Sequence, residues 1–184
     1  MTNQQLTTRV LLPEVRLSYP NIWEARENYP GQKPKYSASL LIDKGDTATI
    51  QKIQQAIKNA VQVGANKFGG KVPDISKLRT PLRDGDERDD EAYHGHYFIN
   101  ASSLQAPQIV DGEVAPILDR NEVYAGCYAN VTVNFYVYNV NGNRGVAAGL
   151  GNIQKVRDGE PLGGRTTAAS DFTALPNAHD DFLA

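Results

Sequence analysis

The stretch VYAGCYANVTVNFYVYNV, residues 123–140, decides the fold. Read with period two, it has two surfaces. One carries Val123, Ala125, Cys127, Ala129, Val131, Val133, Phe135 and Val137. The other carries Tyr124, Gly126, Tyr128, Asn130, Thr132, Asn134, Tyr136 and Tyr138. Successive strand side chains point to opposite faces, so the alternation predicts one long strand with an apolar back and a front of tyrosines and amides. The back packs a core. The front offers flat rings with polar tips and almost no charge, which suits stacking of unpaired nucleic-acid bases. Tyrosine also favours half-buried strands for packing reasons alone.

Working outward, Asn139–Asn143 signals a hairpin, because Asn141-Gly142 accepts the positive φ that a tight turn requires. A further strand follows over 145–156, with glycines that suggest bends or close backbone approach. Upstream, YHGHYFIN (93–100) and YSASLLID (36–43) read as strands. RVLLPEVRLS (9–18) reads as another, with Pro13 marking an edge or a bulge. Between them, residues 19–35 hold three prolines, the only tryptophan and several cations, and read as a long functional loop. One helix is expected from Asp46 or Thr47 as cap, through Ile50, Ile53, Ile57, Ala60 and Val61 as a core-facing stripe, to a stop at Gly64. Residues 69–92 and 101–120 read as loops, the latter with a turn at Asp111-Gly112.

At 184 residues the chain has the size of one domain. The division expected is a binding domain over 1–162 and a flexible, acidic C-terminal tail over 163–184. The lone Cys127 lies on the apolar face and reads as a small buried hydrophobe. No signal peptide or membrane-spanning run is evident, so a soluble protein of a reducing compartment is expected. The net charge of −2 hides an asymmetry. Residues 1–83 hold 13 Lys/Arg against 6 Asp/Glu, a balance of +7, whereas 84–184 hold 6 against 15, a balance of −9. Such asymmetry points to an anionic partner beside acidic segments.

Five strands, one helix and long loops predict an all-β, OB-like five-stranded antiparallel barrel with one packed helix. The helix falls after two strands, where an OB fold usually places it after three. Several blocks carry a resemblance: LSYPNIWEA (17–25), KYSASLLI (35–42), IQKIQQAI (50–57), PLRDGDE (81–87), EAYHGHYFINASS (91–103), PQIVDG (107–112), the long strand with its hairpin (124–145) and GLGNIQKVRDGEPLGGR (149–165). In order and number they resemble a family of phage single-stranded DNA-binding proteins with an OB fold. The resemblance implies sequence-tolerant binding and protection of single-stranded DNA (ssDNA) in replication or recombination, in the cytoplasm of a bacterial host, without catalysis.

The candidate nucleic-acid-binding residues combine rings with positive charge: Trp23, Arg26, Tyr29, Lys33, Lys35, Lys77, Arg79, Arg83, Tyr124, Tyr128, Tyr136, Tyr138 and Arg144. Trp23 has a second reading, as closure for one barrel end. Asp180, Asp181 and Phe182 are similar to the acidic, aromatic-ended tails by which such proteins recruit replication or recombination partners. The reading contains no cofactor, metal, membrane contact or catalytic residue, and it leaves a homo-oligomer open. Two alternatives stand beside it. One is a metal-dependent nuclease using the acidic loop 84–91 with His94 and His96, taken as alternating on one strand. The other is a phage structural protein that assembles through the tyrosine face.

Overall fold

Cross-strand pairing bends one long strand around a barrel, and every other element takes its place from it. The computed structural model describes residues 6–162 and 168–176. In chain order the elements are β1 (Arg9–Arg26), β2 (Lys35–Asp43), α1 (Thr47–Val63), β3 (Leu82–Asp84), β4 (His96–Ser103), β5 (Ile109–Val110), β6 (Tyr128–Val140), β7 (Asn143–Arg157) and α2 (Ala168–Asp171). The first half of β1 pairs with β6, Arg9 opposite Asn134, and its second half pairs with β2, Arg26 opposite Lys35. Neighbours run β3-β4-β2-β1-β6-β7-β5, and β4 also pairs with β7. Strands β4, β2, β1, β6 and β7 therefore close into a five-stranded barrel, the OB-like architecture expected. Its only parallel seam is β4–β7, at Ala101–Ala148 and Ser102–Gly149; β3 and β5 extend the sheet from β4 and β7.

The alternation of β6 is real. Ala129, Val131, Val133, Phe135 and Val137 are all buried, as is Cys127 just before the strand. The stripe of α1 joins the same core through Ile53, Ile57, Ala60 and Val61. The helix thus plugs the barrel end where β2 finishes, β4 begins and the β6–β7 hairpin turns. Asp46 caps it by accepting the Thr49 N–H at 3.2 Å. Gly64 stops it where a Cβ would lie 2.0 Å from Val137 Cγ2, so glycine is what lets the helix end press on β6. Only two barrel strands precede α1; the barrel departs from the usual helix position as the spacing implied.

Several boundaries differ from expectation. The long strand begins at Tyr128, not 123: Gly126 has φ +112 and a Cβ there would meet the Glu160 carbonyl oxygen at 2.1 Å, so a turn packs against residues 159–162. The expected loop 19–35 is strand as far as Arg26, leaving only the turn 27–34. Bulges absorb the irregular residues: register shifts fall between Leu12 and Val15, around Pro13, and between Ser18 and Asn21, around Pro20. The strand expected at 93–100 runs His96–Ser103, because Gly95 at φ +77 turns the chain and Tyr93 tucks inward. Within the expected loops lie β3 and β5, three and two residues long against one neighbour each. The hairpin turn is Asn141 (φ 52) and Gly142 (φ 80), as read. Of the expected tail, Ala168–Asp171 is helical; Asp180, Asp181 and Phe182 lie outside the described residues.

The helix plug yields a direct test. Ile53 is fully buried at its centre, so Ile53→Ala should cost about 2–5 kcal/mol of unfolding free energy. Urea denaturation measures it; a loss below about 1 kcal/mol would mean that the helix does not seal the core.

Candidate nucleic-acid interface

At the helix-plugged end, the hairpin gathers rings and cations. Tyr136 and Tyr138 point outward from β6, opposite Ala147 and Gly145 of β7. A Cβ on Gly145 would come within 2.6 Å of the Tyr138 hydroxyl oxygen and 2.8 Å of Arg79 Cβ. The missing side chain is what lets the segment before β3 run alongside β7. There the Arg79 N–H donates to the Arg144 carbonyl at 3.1 Å, and the Val146 N–H donates to the Arg79 carbonyl at 2.9 Å. Lys67 Nζ donates to the Val137 carbonyl at 3.0 Å. Arg83 lies with Cζ 5.2 Å from the Phe98 ring centre, and Lys77 is exposed two residues before Arg79. Three distant parts of the chain thus bring cations to one end of the barrel.

From Tyr136 an uncharged row crosses the outer barrel surface. Asn134 pairs with Gly149, Gly149 with Ser102, Ser102 with Ser37, and Ser37 with Asn21. The adjacent row, Phe135–Ala148–Ala101–Ala38, is buried, so the polar row faces out. At about 4.8 Å per strand spacing the row extends roughly 19 Å. Tyr136 borders one end, 43% exposed, and Tyr19 the other, 60% exposed. A cleft of about 340 Å³ opens over the β1–β2–β4 part, between Tyr19, Asn21, Asn28 and the serines of the row. Small side chains and a glycine leave this track low, with amide and hydroxyl groups and no formal charge.

The other candidates are at the opposite barrel end. Arg26, Tyr29, Lys33 and Lys35 surround the β1–β2 turn, with Tyr29 62% exposed. Trp23 is not on an open loop: it packs partly buried against the core, and its Nε1 has no hydrogen-bond acceptor among the described residues. Two tyrosines of the expected open front are closed by the protein itself. The Tyr124 hydroxyl donates to the Gly159 carbonyl at 2.9 Å, with Lys155 Nζ 5.6 Å from its ring centre. The Tyr128 ring has the Arg157 guanidinium at 3.7 Å and that of Arg16 at 5.7 Å. Asn130 and Thr132, between them and Asn134, bond to neighbouring strands. Open rings on β6 are therefore confined to Tyr136 and Tyr138.

The acidic run 84–91 folds onto the outer surface of β4. Lys44 Nζ reaches Asp84 at 2.7 Å and Asp86 at 2.6 Å. Its ammonium holds both carboxyls below the usual aspartate range, helped by the Asp86 N–H at Asp84 and the Gly95 N–H at Asp86. Beneath this segment Leu41, Tyr93 and Phe98 form a small second core, roofed by Arg88 at 4.2 Å from the Tyr93 ring centre. His94 precedes the strand instead of alternating with His96 along it. His94 Nε2 lies 2.8 Å from the Arg88 carbonyl and His96 Nδ1 2.9 Å from the His94 carbonyl. No group of three or more His, Cys, Asp or Glu side chains arranged for a metal occurs among the described residues.

Comparison with known proteins decides the lineage. The model of the Enterobacter phage Enc34 ssDNA-binding protein family matches residues 8–183. The chain belongs to the Enc34 ssDNA-binding protein family. A protein named p50 from Acyrthosiphon pisum secondary endosymbiont phage 1 is 33% identical over 186 residues, covering 95% of this chain and 98% of p50. The solved ssDNA-binding protein of bacteriophage Enc34 in complex with ssDNA superposes with a TM-score of 0.74 at 22% identity, over 89% of this chain and 97% of that one. The gp2.5 ssDNA-binding protein of bacteriophage T7 is more remote, with a TM-score of 0.57 at 12% identity over 92% and 99%. Both solved structures share the fold. No helix among the described residues is long and apolar enough to cross a membrane.

The floor of this surface is not legible in the sequence. Asn21, Ser37, Asn100 and Ser102 have no signature by themselves; the signal was the alternation of serines with apolar residues in β2 and β4. Tyr19 is not marked by the sequence, because Pro20 and the residues after it read as loop. The Lys44 cluster gives a pH test. Depressed folded-state aspartate pKa values add stability above about pH 4, and that stability disappears as pH falls through the folded values. Lys44→Met should therefore melt below the wild type at neutral pH, and the gap should close in acid. A gap constant from pH 7 to pH 2.5 would show that Lys44 acts by packing alone.

Proposed function

We propose that the chain binds ssDNA without catalysis, laying it along the uncharged row between the Tyr19 and Tyr136 borders, with Lys and Arg at both barrel ends holding phosphates. The observation that carries this reading is the row itself: an outward track of small polar groups, bordered by exposed rings, within a family of phage ssDNA-binding proteins. Rings stack on any base, and phosphate contacts carry no sequence information, so base preference is weak. Arg79 and Arg144 anchor one end; Arg26, Lys33 and Lys35 anchor the other. Tyr136 and Tyr138 stack, whereas Tyr124 and Tyr128, held by Lys155, Arg16 and Arg157, support the fold. The protein covers exposed strands during phage replication or recombination in the host cytoplasm. Residues 1–162 are the binding domain, and Asp180, Asp181 and Phe182 in 163–184 recruit a partner protein. The nuclease alternative is disfavoured by the engagement of Asp84 and Asp86 with Lys44 and of both imidazoles with backbone carbonyls.

Two measurements test it. Log affinity for labelled ssDNA should fall with log salt at roughly 0.7 per neutralised phosphate, and Arg79→Ala plus Arg144→Ala should flatten that slope. A flat slope in the wild type, or no binding at low salt, removes the reading. Separately, Tyr136→Ala with Tyr138→Ala should weaken binding by about 1–3 kcal/mol per lost stack with folding intact. Tyr128→Ala should lower thermal stability and leave the intrinsic affinity of the folded protein nearly unchanged. The reverse pattern would put the bound strand at the other end of β6.

A further inference from the structure

Tyr19 combines three properties that are rarely found together. Its backbone is left-handed, φ +46, a strained conformation for a bulky non-glycine residue. Its ring is 60% exposed, so the strain is not offset by burial of the ring in the core. It also stands in the bulge between Ser18 and Asn21, at the mouth of the cleft over β2 and β4. Ser18 is fixed beneath it, accepting the Tyr93 hydroxyl at 2.9 Å, so the bulge rests on the small second core. A bulge re-aims a side chain, and this one delivers a ring to the edge of an open, uncharged cleft.

The cleft is built for the edge of a base more than for a phosphate. Ser39 Oγ donates to Asn100 Oδ1, and Asn21 Nδ2 donates to Ser37 Oγ. These contacts use Asn100 as acceptor and Asn21 as donor, which leaves the amide N–H groups of Asn100 and the carbonyl oxygen of Asn21 to pair with a ligand. The cleft thus offers a donor from β4 and an acceptor from β1, on either side of β2, and every base edge carries both kinds of partner. On the other side of Tyr19 lie Asp89, Asp90 and Glu91, with Arg88 already over the Tyr93 ring. Those carboxylates repel a phosphodiester from that wall.

We infer that this cleft is a nucleobase pocket: Tyr19 stacks on one unpaired base, Asn21 and Asn100 bond its edge, and the phosphate backbone stays outside. The inference rests on the ssDNA-binding reading and assigns a base-inward orientation to it. The bulge then holds a strained backbone to present the ring.

The test uses the full chain, fluorescent oligothymidine and a matched oligonucleotide carrying 5-iodouracil. Tyr19→Ala should weaken binding about 5- to 150-fold, the equivalent of one stack, with the salt slope unchanged because no phosphate contact is lost. Tyr19→Phe should bind within about twofold of the wild type. Tyr19→Gly relaxes the backbone, so it should melt no lower than the wild type while binding as weakly as the alanine variant; a residue needed only for packing would lose stability as well. Photocrosslinking of the iodinated strand should map to the peptide containing Tyr19. Wild-type affinity in both the alanine and glycine variants, or crosslinks absent from that peptide, would overturn the pocket while leaving ssDNA binding elsewhere on the barrel intact. Failure of the wild type to bind any ssDNA would overturn the pocket and the broader reading together.

Discussion

Two parallel residue pairs, Ala101–Ala148 and Ser102–Gly149, turn a sheet into a barrel. Once β4 meets β7, each row of cross-strand partners is committed to the inside or the outside, because the side-chain period is two. The row through Phe135, Ala148, Ala101 and Ala38 becomes core, and the row beside it becomes the polar track. Ala148, Ala101 and Ala38 fill that inner row with small buried side chains. Interior packing and the exterior polar track are two consequences of one closure.

The fold was largely legible from the chain because its signals are local and periodic. Buried valines and Phe135 in β6, the isoleucine stripe of α1 and the Asn141-Gly142 turn each state their structure within a few residues. The boundaries that moved did so for non-local reasons. Tyr124 and Gly126 leave the strand because residues 159–162 pack on them, a contact more than thirty positions away. Trp23 and Arg26 look like loop because Pro20 interrupts the pattern, yet β2 supplies partners across a bulge. Helical geometry at Ala168–Asp171 has no comparable sequence signal, since the segment is small and polar.

The candidate site was legible in its residue types and much less so in its geography. Arg79, Arg144 and Tyr138 meet around Gly145, a close approach between distant parts of the chain, and Tyr136 lies two residues before Tyr138 on β6, against Gly149. Tyr124 and Tyr128 read the same as Tyr136 and Tyr138 along the strand. What separates them is three cations contributed by β1 and β7, and those partners are invisible to a periodicity argument. The acidic run resembled a metal loop because six carboxylates stood together. Lys44 engages two of them, and the segment they belong to roofs a second core. The excess of positive charge before residue 84 likewise acquires meaning only where the chain from Lys67 to Arg83 passes the hairpin.

The burial of the one tryptophan has a practical side. Its indole is seated against the core with the ring nitrogen sealed from water, so its emission is set by barrel packing. Light from this residue is therefore a gauge of whether the barrel around it is packed. The exposed tyrosines, on the outer surface, offer a second and separate optical signal.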